Sequence, residues 1–168
     1  MAWVEAMRAS GVKRIVFGST TWVYEAAAAA SVDESTPLGA ASHLYTATKL
    51  AGESYCHAYA QLYGLEPTIL RFGIPYGPGA RPAAVIPIFV DRAVRGEPLT
   101  LSGDGLQYRK FIYVEDLAEG IVAGLRPAAI NQTYNLDGQE KVSITAPLGS
   151  RLRLPSSLTV SPTRANCR

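Results

Sequence analysis

Two short apolar runs separated by a long helical pattern constrain the fold of this chain more than any other feature. The runs, 12–20 (VKRIVFGST) and 66–74 (EPTILRFGI), are rich in apolar and β-branched residues, which is typical of strands buried on both faces. Between them, residues 42–63 place apolar side chains at helical spacing, and Gly64 follows as a helix stop. Strands that alternate with helices predict an α/β fold, a parallel sheet with crossover helices.

The rest of the chain continues this alternation up to about residue 146. Helices are predicted at 2–10, 85–95 and 115–126, and strands at 99–114 (two, around a Gly103-Asp104-Gly105 turn) and 133–137. Beyond that point the sequence has scattered Pro, Ser and Arg and no sustained period. We therefore expect one α/β domain over 1–146 and a disordered or non-native tail over 147–168.

Composition and charge exclude several functional classes. The 168 residues are 48% hydrophobic and 18% charged, and no apolar run approaches the length of a membrane span, so we expect a cytoplasmic protein with no membrane partner. Residues 1–140 hold 11 basic and 14 acidic side chains, whereas 141–168 hold five basic and none acidic. The positive charge belongs to the tail, so we expect no nucleic-acid partner. Cys56 and Cys167 match no metal-ligand spacing.

A tyrosine and a lysine, Tyr45 and Lys49, lie four residues apart in the predicted long helix. Residues at this spacing share a helix face, with Cβ atoms about 6 Å apart. A neighbouring ammonium favours the phenolate, so Tyr45 is a candidate general acid or base and Lys49 its electrostatic partner. The pair alone is unspecific, because an amphipathic tyrosine beside a solvated lysine gives the same pattern.

Small hydroxyl residues close the first predicted strand. Ser19, Thr20 and Thr21 follow the apolar run directly. Ligands of parallel sheets bind beyond the carboxyl ends of the strands, where Thr20 could hydrogen-bond a substrate oxygen. Ordinary turn chemistry at a strand end explains the same three residues.

Five segments of the chain resemble, in order and spacing, the extended short-chain dehydrogenases/reductases. Within these the chain is most similar to the NAD-dependent epimerase/dehydratase family, which acts on nucleotide sugars. The resemblance covers about residues 3–145 and implies the C-terminal half of a Rossmann-like sheet with a small substrate-binding part. The segments are VKRIVFGSTTWVYE, Tyr45-x-x-x-Lys49, LRFGIPYGPG, GDGLQYRKFIYVEDLAEGIV and TYNLDG.

The resemblance implies a role for four residues. Thr20 would polarise the sugar hydroxyl or keto group, and Tyr45 would exchange a proton with the C4 hydroxyl while NAD exchanges the hydride. Lys49 would also hold the nicotinamide ribose of NAD. Arg109 resembles the residue that binds the nucleotide diphosphate, for which a planar guanidinium is suited, although a surface strand arginine is the alternative. The implied activity is that of a nucleotide-sugar epimerase of the UDP-glucose 4-epimerase type.

Departures from the family pattern narrow these expectations. Thr21 and Trp22 follow Thr20 where sugar 4,6-dehydratases have Asp-Glu, so epimerisation or keto-sugar reduction is favoured over dehydration. Ile74 stands where many members have Asn, and Glu25 where Gly is common.

No Gly-x-x-Gly-x-x-Gly follows a first strand, which suggests that the family's N-terminal NAD-binding unit is missing. A truncated and inactive fragment of such an enzyme is therefore an alternative to a working epimerase.

The family resemblance also suggests a homodimer. In many members the helix that carries the Tyr-Lys pair packs into a four-helix bundle with its partner. The outer face of 42–63 could serve this contact, although core packing explains Tyr59 equally well. The aromatic residues of that face are Tyr55, His57, Tyr59 and Tyr63.

Overall fold

The structure, a computed structural model, describes residues 2–27, 29, 31–102, 107–143 and 161–163. The helices of these segments are α1 (Ala2–Ser10), α2 (Leu44–Tyr63), α3 (Val85–Val94) and α4 (Val114–Ala123), with 3₁₀ turns at Thr21–Tyr24 and Pro127–Ala129. The strands are β1 (Arg14–Thr20), β2 (Glu66–Phe72), β3 (Ile74–Tyr76), β4 (Thr100–Ser102), β5 (Tyr108–Arg109), β6 (Phe111–Tyr113), β7 (Thr133–Leu136), β8 (Val142–Ser143) and β9 (Ser161–Thr163). The predicted α/β class is confirmed. No helix in these segments is both long and apolar enough to cross a bilayer.

The chain divides into two compact units. The first comprises residues 1–73 and 115–137, and the second 74–114 and 138–168. The first unit holds the main sheet, which is parallel and has the strand order β1-β2-β7. The second unit holds three two-stranded pairings, β3 with β6, β4 with β9 and β5 with β8. The main sheet is therefore the framework that positions Thr20, Tyr45 and Lys49.

The register of the main sheet brings three carboxyl ends to one edge. β1 pairs with β2 along its whole length and ends with Thr20 opposite Phe72. β7 pairs with the other side of β2 and ends with Leu136 opposite Phe72. Because all three strands run in the same direction, this edge is where a parallel sheet binds its ligands.

α2 packs against the main sheet, and the first unit's core lies between them. Cys56 of α2 and Ile69 and Leu70 of β2 are almost completely buried. The helix approaches β1 most closely at Gly52, where a side-chain Cβ would collide with the ring of Phe17. Glycine is therefore required at this position for α2 to lie as close to β1 as it does.

Both ends of α2 agree with its sequence signals. His43 caps the first turn, since its Nδ1 accepts a hydrogen bond from the backbone N–H of Thr46 at 3.3 Å. Gly64 ends the helix with a φ of 67°, a left-handed conformation that favours glycine. The predicted stop at Gly64 is confirmed, and the helix begins two residues after the predicted start at 42.

The strand predicted over 66–74 is interrupted at Gly73. β2 ends at Phe72, and Ile74 begins β3 in the second unit. A Cβ at Gly73 would collide with the side chain of Asp137, so the chain passes the end of β7 closely at this residue. The apolar letters continue through this point, which is why the sequence pattern did not show the break.

The prediction of two strands within 99–114 is wrong in their number. Three short strands occupy this stretch, β4, β5 and β6, and each pairs with a strand from elsewhere in the chain. The predicted turn at 103–105 lies outside the described residues. Of the predicted disordered tail, 147–168, the described residues include only β9, which pairs in parallel with β4.

Candidate functional site

Lys49 lies against the carboxyl-terminal half of β1. Its Nζ donates a hydrogen bond to the backbone carbonyl oxygen of Gly18 at 2.8 Å. The same nitrogen lies 5.5 Å from the ring centroid of Phe17 and 5.8 Å from that of Tyr45. A cation is attracted by the face of an aromatic ring, so these contacts hold the ammonium between the sheet and the phenol. The structure thus brings together the two side chains that the sequence placed on one helix face.

Tyr45 stands in the first turn of α2 and is 52% exposed. Its ring stacks on that of His43, with centroids 6.2 Å apart and planes inclined by 13°. The phenol is thus supported on one side by His43 and by the nearby ammonium of Lys49. It remains accessible to a ligand at the edge of the sheet.

Thr20 is the last residue of β1 and is 4% exposed. Its Oγ1 accepts a hydrogen bond from the backbone N–H of Trp22 at 3.3 Å and caps the 3₁₀ turn. The expected turn chemistry is therefore present, and the hydroxyl still has its own proton to donate. Trp22 meets His43 edge-on, with ring centroids 5.2 Å apart. Through Trp22 and His43, the end of β1 is linked by contact to Tyr45.

The cluster of polar side chains around His43 was not predicted from the sequence. The Nε2 of His43 lies 3.5 Å from Oε2 of Glu25, and the hydroxyl of Ser42 donates to the same oxygen at 2.6 Å. Glu25, which stands where the family commonly has Gly, therefore ties the segment after β1 to the start of α2. A Ser-His pair directly before a helical pattern was the available signal, because helix N-caps use such polar residues.

A buried ion pair lies beneath the site and was also missed. Arg71 of β2 donates from Nη2 and Nε to the two carboxylate oxygens of Glu53, at 2.7 and 3.1 Å, and both side chains are about 95% buried. Ser19 donates to the same carboxylate, and Arg71 donates to the hydroxyl of Tyr24. Burial opposes the charge of Arg71, but the hydrogen bonds from Arg71 to Glu53 and Tyr24 raise its pKa above the ordinary value.

Arg109 lies apart from these residues in the chain, in β5 of the second unit. It is exposed, and its guanidinium donates to the backbone carbonyl of Tyr108 at 2.9 Å and to the side-chain oxygen of Gln107 at 3.0 Å. Among the described residues, these two bonds use two of the five N–H donors of the guanidinium.

The second unit also has a cleft of about 320 Å³ beside the Pro/Gly-rich loop that follows β3. Ile74 lines this cleft at the position where many members of the resembled family have Asn. The lining is therefore apolar at that position. Other lining residues are Tyr76, Arg81, Ala84 and Val114.

Comparison with known proteins decides the family. Residues 2–137 match the NAD-dependent epimerase/dehydratase family along most of the chain. The chain belongs to this family. A UDP-glucose epimerase of Bacillus subtilis, YtcB, described as uncharacterised, is 39% identical over 142 residues, or 84% of this chain and 44% of that protein. A UDP-glucuronate 4-epimerase of Thermodesulfobacterium geofontis is 34% identical over 135 residues, or 80% of this chain and 41% of that protein.

Solved structures of epimerases have the same fold. UDP-glucuronic acid 4-epimerase from Bacillus cereus, in complex with NAD, matches 95% of this chain with a TM-score of 0.77 and 28% identity, over 53% of its own length. UDP-N-acetylglucosamine 4-epimerase from Methanobrevibacter ruminantium, in complex with UDP-N-acetylmuramic acid, matches with a TM-score of 0.80 and 25% identity. The chain spans about half the length of these relatives.

The family is named for its dependence on NAD, and the residues around Tyr45 fit the nicotinamide ribose of that cofactor. Lys49 supplies N–H donors and Tyr45 an accessible phenol, and both groups are able to hydrogen-bond the hydroxyls of a ribose. The pyrophosphate of a dinucleotide binds at a glycine-rich turn before a helix, and the sequence contains no Gly-x-x-Gly-x-x-Gly turn. These residues therefore fit the nicotinamide ribose, and the pyrophosphate has no matching turn in this sequence.

Proposed function

We propose that this chain carries the proton-transfer machinery of an NAD-dependent nucleotide-sugar 4-epimerase. The observation that supports this most directly is the ammonium of Lys49, which contacts both the Gly18 carbonyl and the face of the half-exposed Tyr45. A phenol beside a fixed cation, at the carboxyl edge of a parallel sheet, is suited to general acid–base chemistry on a bound hydroxyl.

Each of three side chains has its own part in this mechanism. Tyr45 takes the proton from the sugar C4 hydroxyl and later returns one, while Lys49 stabilises the phenolate that results. Thr20 donates its hydroxyl proton to the C4 oxygen and so orients the sugar. Bound NAD supplies the hydride acceptor and donor. Lys49 and Tyr45 would hold its nicotinamide ribose.

The residues that follow Thr20 favour epimerisation over dehydration. Thr21 donates its hydroxyl to the backbone carbonyl of Phe72 at 3.3 Å, and Trp22 packs against His43. Neither side chain has the acid/base group that elimination of water from a sugar requires. A keto-sugar reductase would use the same three residues, so it is distinguished from an epimerase by its product.

The substrate's diphosphate is assigned to Arg109. Its guanidinium is exposed and planar, and such a fork matches phosphate oxygens in two places. The proposed substrate is therefore a nucleotide-diphosphate sugar.

A homodimer through the outer face of α2 completes the proposal. Tyr55 and Leu62 are large apolar side chains of this helix that are 39% and 71% exposed. Tyr59 and Tyr63 lie nearer to α1, where they contact Glu5 and Arg8. Tyr55 and Leu62, together with the 51% exposed Tyr63, would then form the contact with a second copy.

Calorimetric titration of NAD into the purified protein tests the proposal. Binding in the micromolar range and, with UDP-glucose or UDP-glucuronate added, conversion to the C4 epimer detected by NMR of the sugar would support the proposal. A reduced sugar formed from a 4-keto substrate with NADH would instead identify a reductase. Absence of heat up to millimolar NAD would contradict the proposal and support an inactive chain.

A further inference from the structure

Glu53 occupies the same face of α2 as the two residues proposed to act on the ligand. Tyr45, Lys49 and Glu53 are spaced by four residues, so they form one stripe along the helix. Their exposure decreases along this stripe, from the half-exposed Tyr45 through the partly buried Lys49 to the 3% exposed Glu53. The stripe thus carries a negative charge at its buried end and a phenol at its open end.

This arrangement contains a competition for the charge of Lys49. A lysine and a glutamate four residues apart on a helix attract one another, and the attraction is less screened where the carboxylate is buried. Lys49 nevertheless donates to the Gly18 carbonyl, a neutral acceptor, at 2.8 Å. The carboxylate of Glu53 is already occupied by Arg71, which donates to both of its oxygens.

Arg71 is itself fixed from three sides. It lies on β2 with Ser19 of β1 and Asn135 of β7 as its register partners. Its Nη1 donates to the hydroxyl of Tyr24, and that hydroxyl donates to the side-chain oxygen of Asn135 at 2.9 Å. A guanidinium has no acceptor, so this is the only direction in which the two hydrogen bonds can run. Arg71 is thereby held with its fork on Glu53.

We propose that Arg71 is a positioning residue that occupies the Glu53 carboxylate, so that the positive charge of Lys49 is left for Tyr45 and the ligand. The inference rests on the proposed function of Tyr45 and Lys49. It also explains the presence of an ion pair at a buried place, where an apolar pair of similar volume would often be at least as stable. Without Arg71, the carboxylate would draw the Lys49 ammonium away from the phenol.

Paired variants separate the charge of Arg71 from its packing. Arg71→Met leaves Glu53 unpaired, and we expect it to lower kcat about tenfold or more, since Lys49 then turns to the carboxylate. The double variant Glu53→Gln with Arg71→Met contains no competing charge, and we expect its kcat within about threefold of the unmodified protein. Arg71→Lys keeps the carboxylate paired and should also stay within about threefold.

If Arg71 had only a structural role, the kcat values of these variants would rank differently. The double variant would then be at least as impaired as Arg71→Met, and that result would overturn the inference. Arg14→Met is the matched control, because Arg14 of β1 donates to Thr68 and to the backbone carbonyls of Glu66 and Gly124 and contacts no carboxylate within the described part of the chain. Its kcat should remain within about threefold even where its stability falls.

Crystal structures of the variants provide a readout that needs no turnover. In Arg71→Met, Lys49 Nζ should lie within about 4 Å of the Glu53 carboxylate, and in the double variant at the Gly18 carbonyl. Lys49 unmoved in Arg71→Met would overturn the inference whether or not the protein is active. A moved Lys49 in Arg71→Met, together with an unmodified protein that shows no turnover, would support the inference and contradict the proposed function. If Arg71→Met does not fold, a loss above about tenfold in Arg71→Lys overturns the inference, and full activity of Arg71→Lys supports it.

Discussion

The ammonium of Lys49 on α2 donates a hydrogen bond to the backbone carbonyl oxygen of Gly18 on β1, at 2.8 Å. This bond joins residues 31 positions apart in the chain, one helical turn from Tyr45 and two residues before Thr20. Lysine has three N–H donors, so the others are left for a ligand. The proposed chemistry depends on this junction between helix and strand.

Replacement of Tyr45 by Phe should remove turnover and spare cofactor binding. The ring and its stacking on His43 are kept, but the acid/base proton is lost, so kcat should fall by about a hundredfold or more. NAD affinity should change by less than about threefold by calorimetry. Tyr55→Phe, on the same helix, is the control and should retain full turnover. Activity within tenfold of the unmodified protein would show that Tyr45 is not the acid/base.

Replacement of Arg109 by Met should weaken substrate binding alone. Loss of a charge-assisted contact to the diphosphate should raise KM for the nucleotide sugar about tenfold and leave kcat within about twofold. Arg126→Met, at another exposed arginine, should change neither constant. Steady-state kinetics of both variants measure these constants. An unchanged KM in Arg109→Met would show that Arg109 does not bind the diphosphate and is an ordinary solvated surface residue.

Replacement of Gly52 by Ala should destabilise the first unit. In most helices this change is favourable, but here the new Cβ would collide with the ring of Phe17, which stacks on Trp3. We expect a loss of about 1–3 kcal/mol in the free energy of unfolding, measured with urea. Ser54→Ala, on the exposed side of the same helix, should change stability by less than about 0.5 kcal/mol. Equal stability of Gly52→Ala and the unmodified protein would show that α2 can move away from β1.

The buried thiol of Cys56 should make the folded protein less stable at high pH. Burial, together with the charge of Glu53, raises the pKa of its thiol from 9.0 to about 11. The unfolded chain therefore releases this proton first, so the stabilisation is complete below pH 9 and is lost as pH rises towards 11. Urea unfolding should show a steeper decline over this window for the unmodified protein than for Cys56→Ala. Parallel declines would contradict the raised pKa.

A charge introduced on the outer face of α2 should dissociate the proposed dimer into monomers. Leu62→Glu places a carboxylate on the outer face of α2 near its C-terminal end, where pairing with a second copy would bury it. Light scattering after size exclusion should report a dimer for the unmodified protein and a monomer for this variant. Val122→Glu, at an exposed residue of α4, is the control and should not change the mass. A monomeric unmodified protein would remove the dimer from the proposal.

The sequence predicted local features of the fold and site well. Gly64 stops α2 where its backbone turns left-handed, and the Tyr45–Lys49 spacing puts both side chains on one face. Such features depend on residues within a few positions of one another. The pairing partners of β4, β5 and β6 could not be predicted, because each is supplied by a distant segment.

The sequence by itself determined the α/β alternation, the helix positions to within three residues, and the residue types available for proton transfer. Only the tertiary structure decided which charges meet. Glu53 could pair with Lys49 by sequence spacing, yet Arg71, 18 residues away, reaches it from β2 and leaves Lys49 at the Gly18 carbonyl. The physical reason is that ion pairing in a buried site depends on three-dimensional distance and desolvation, which helical periodicity cannot encode.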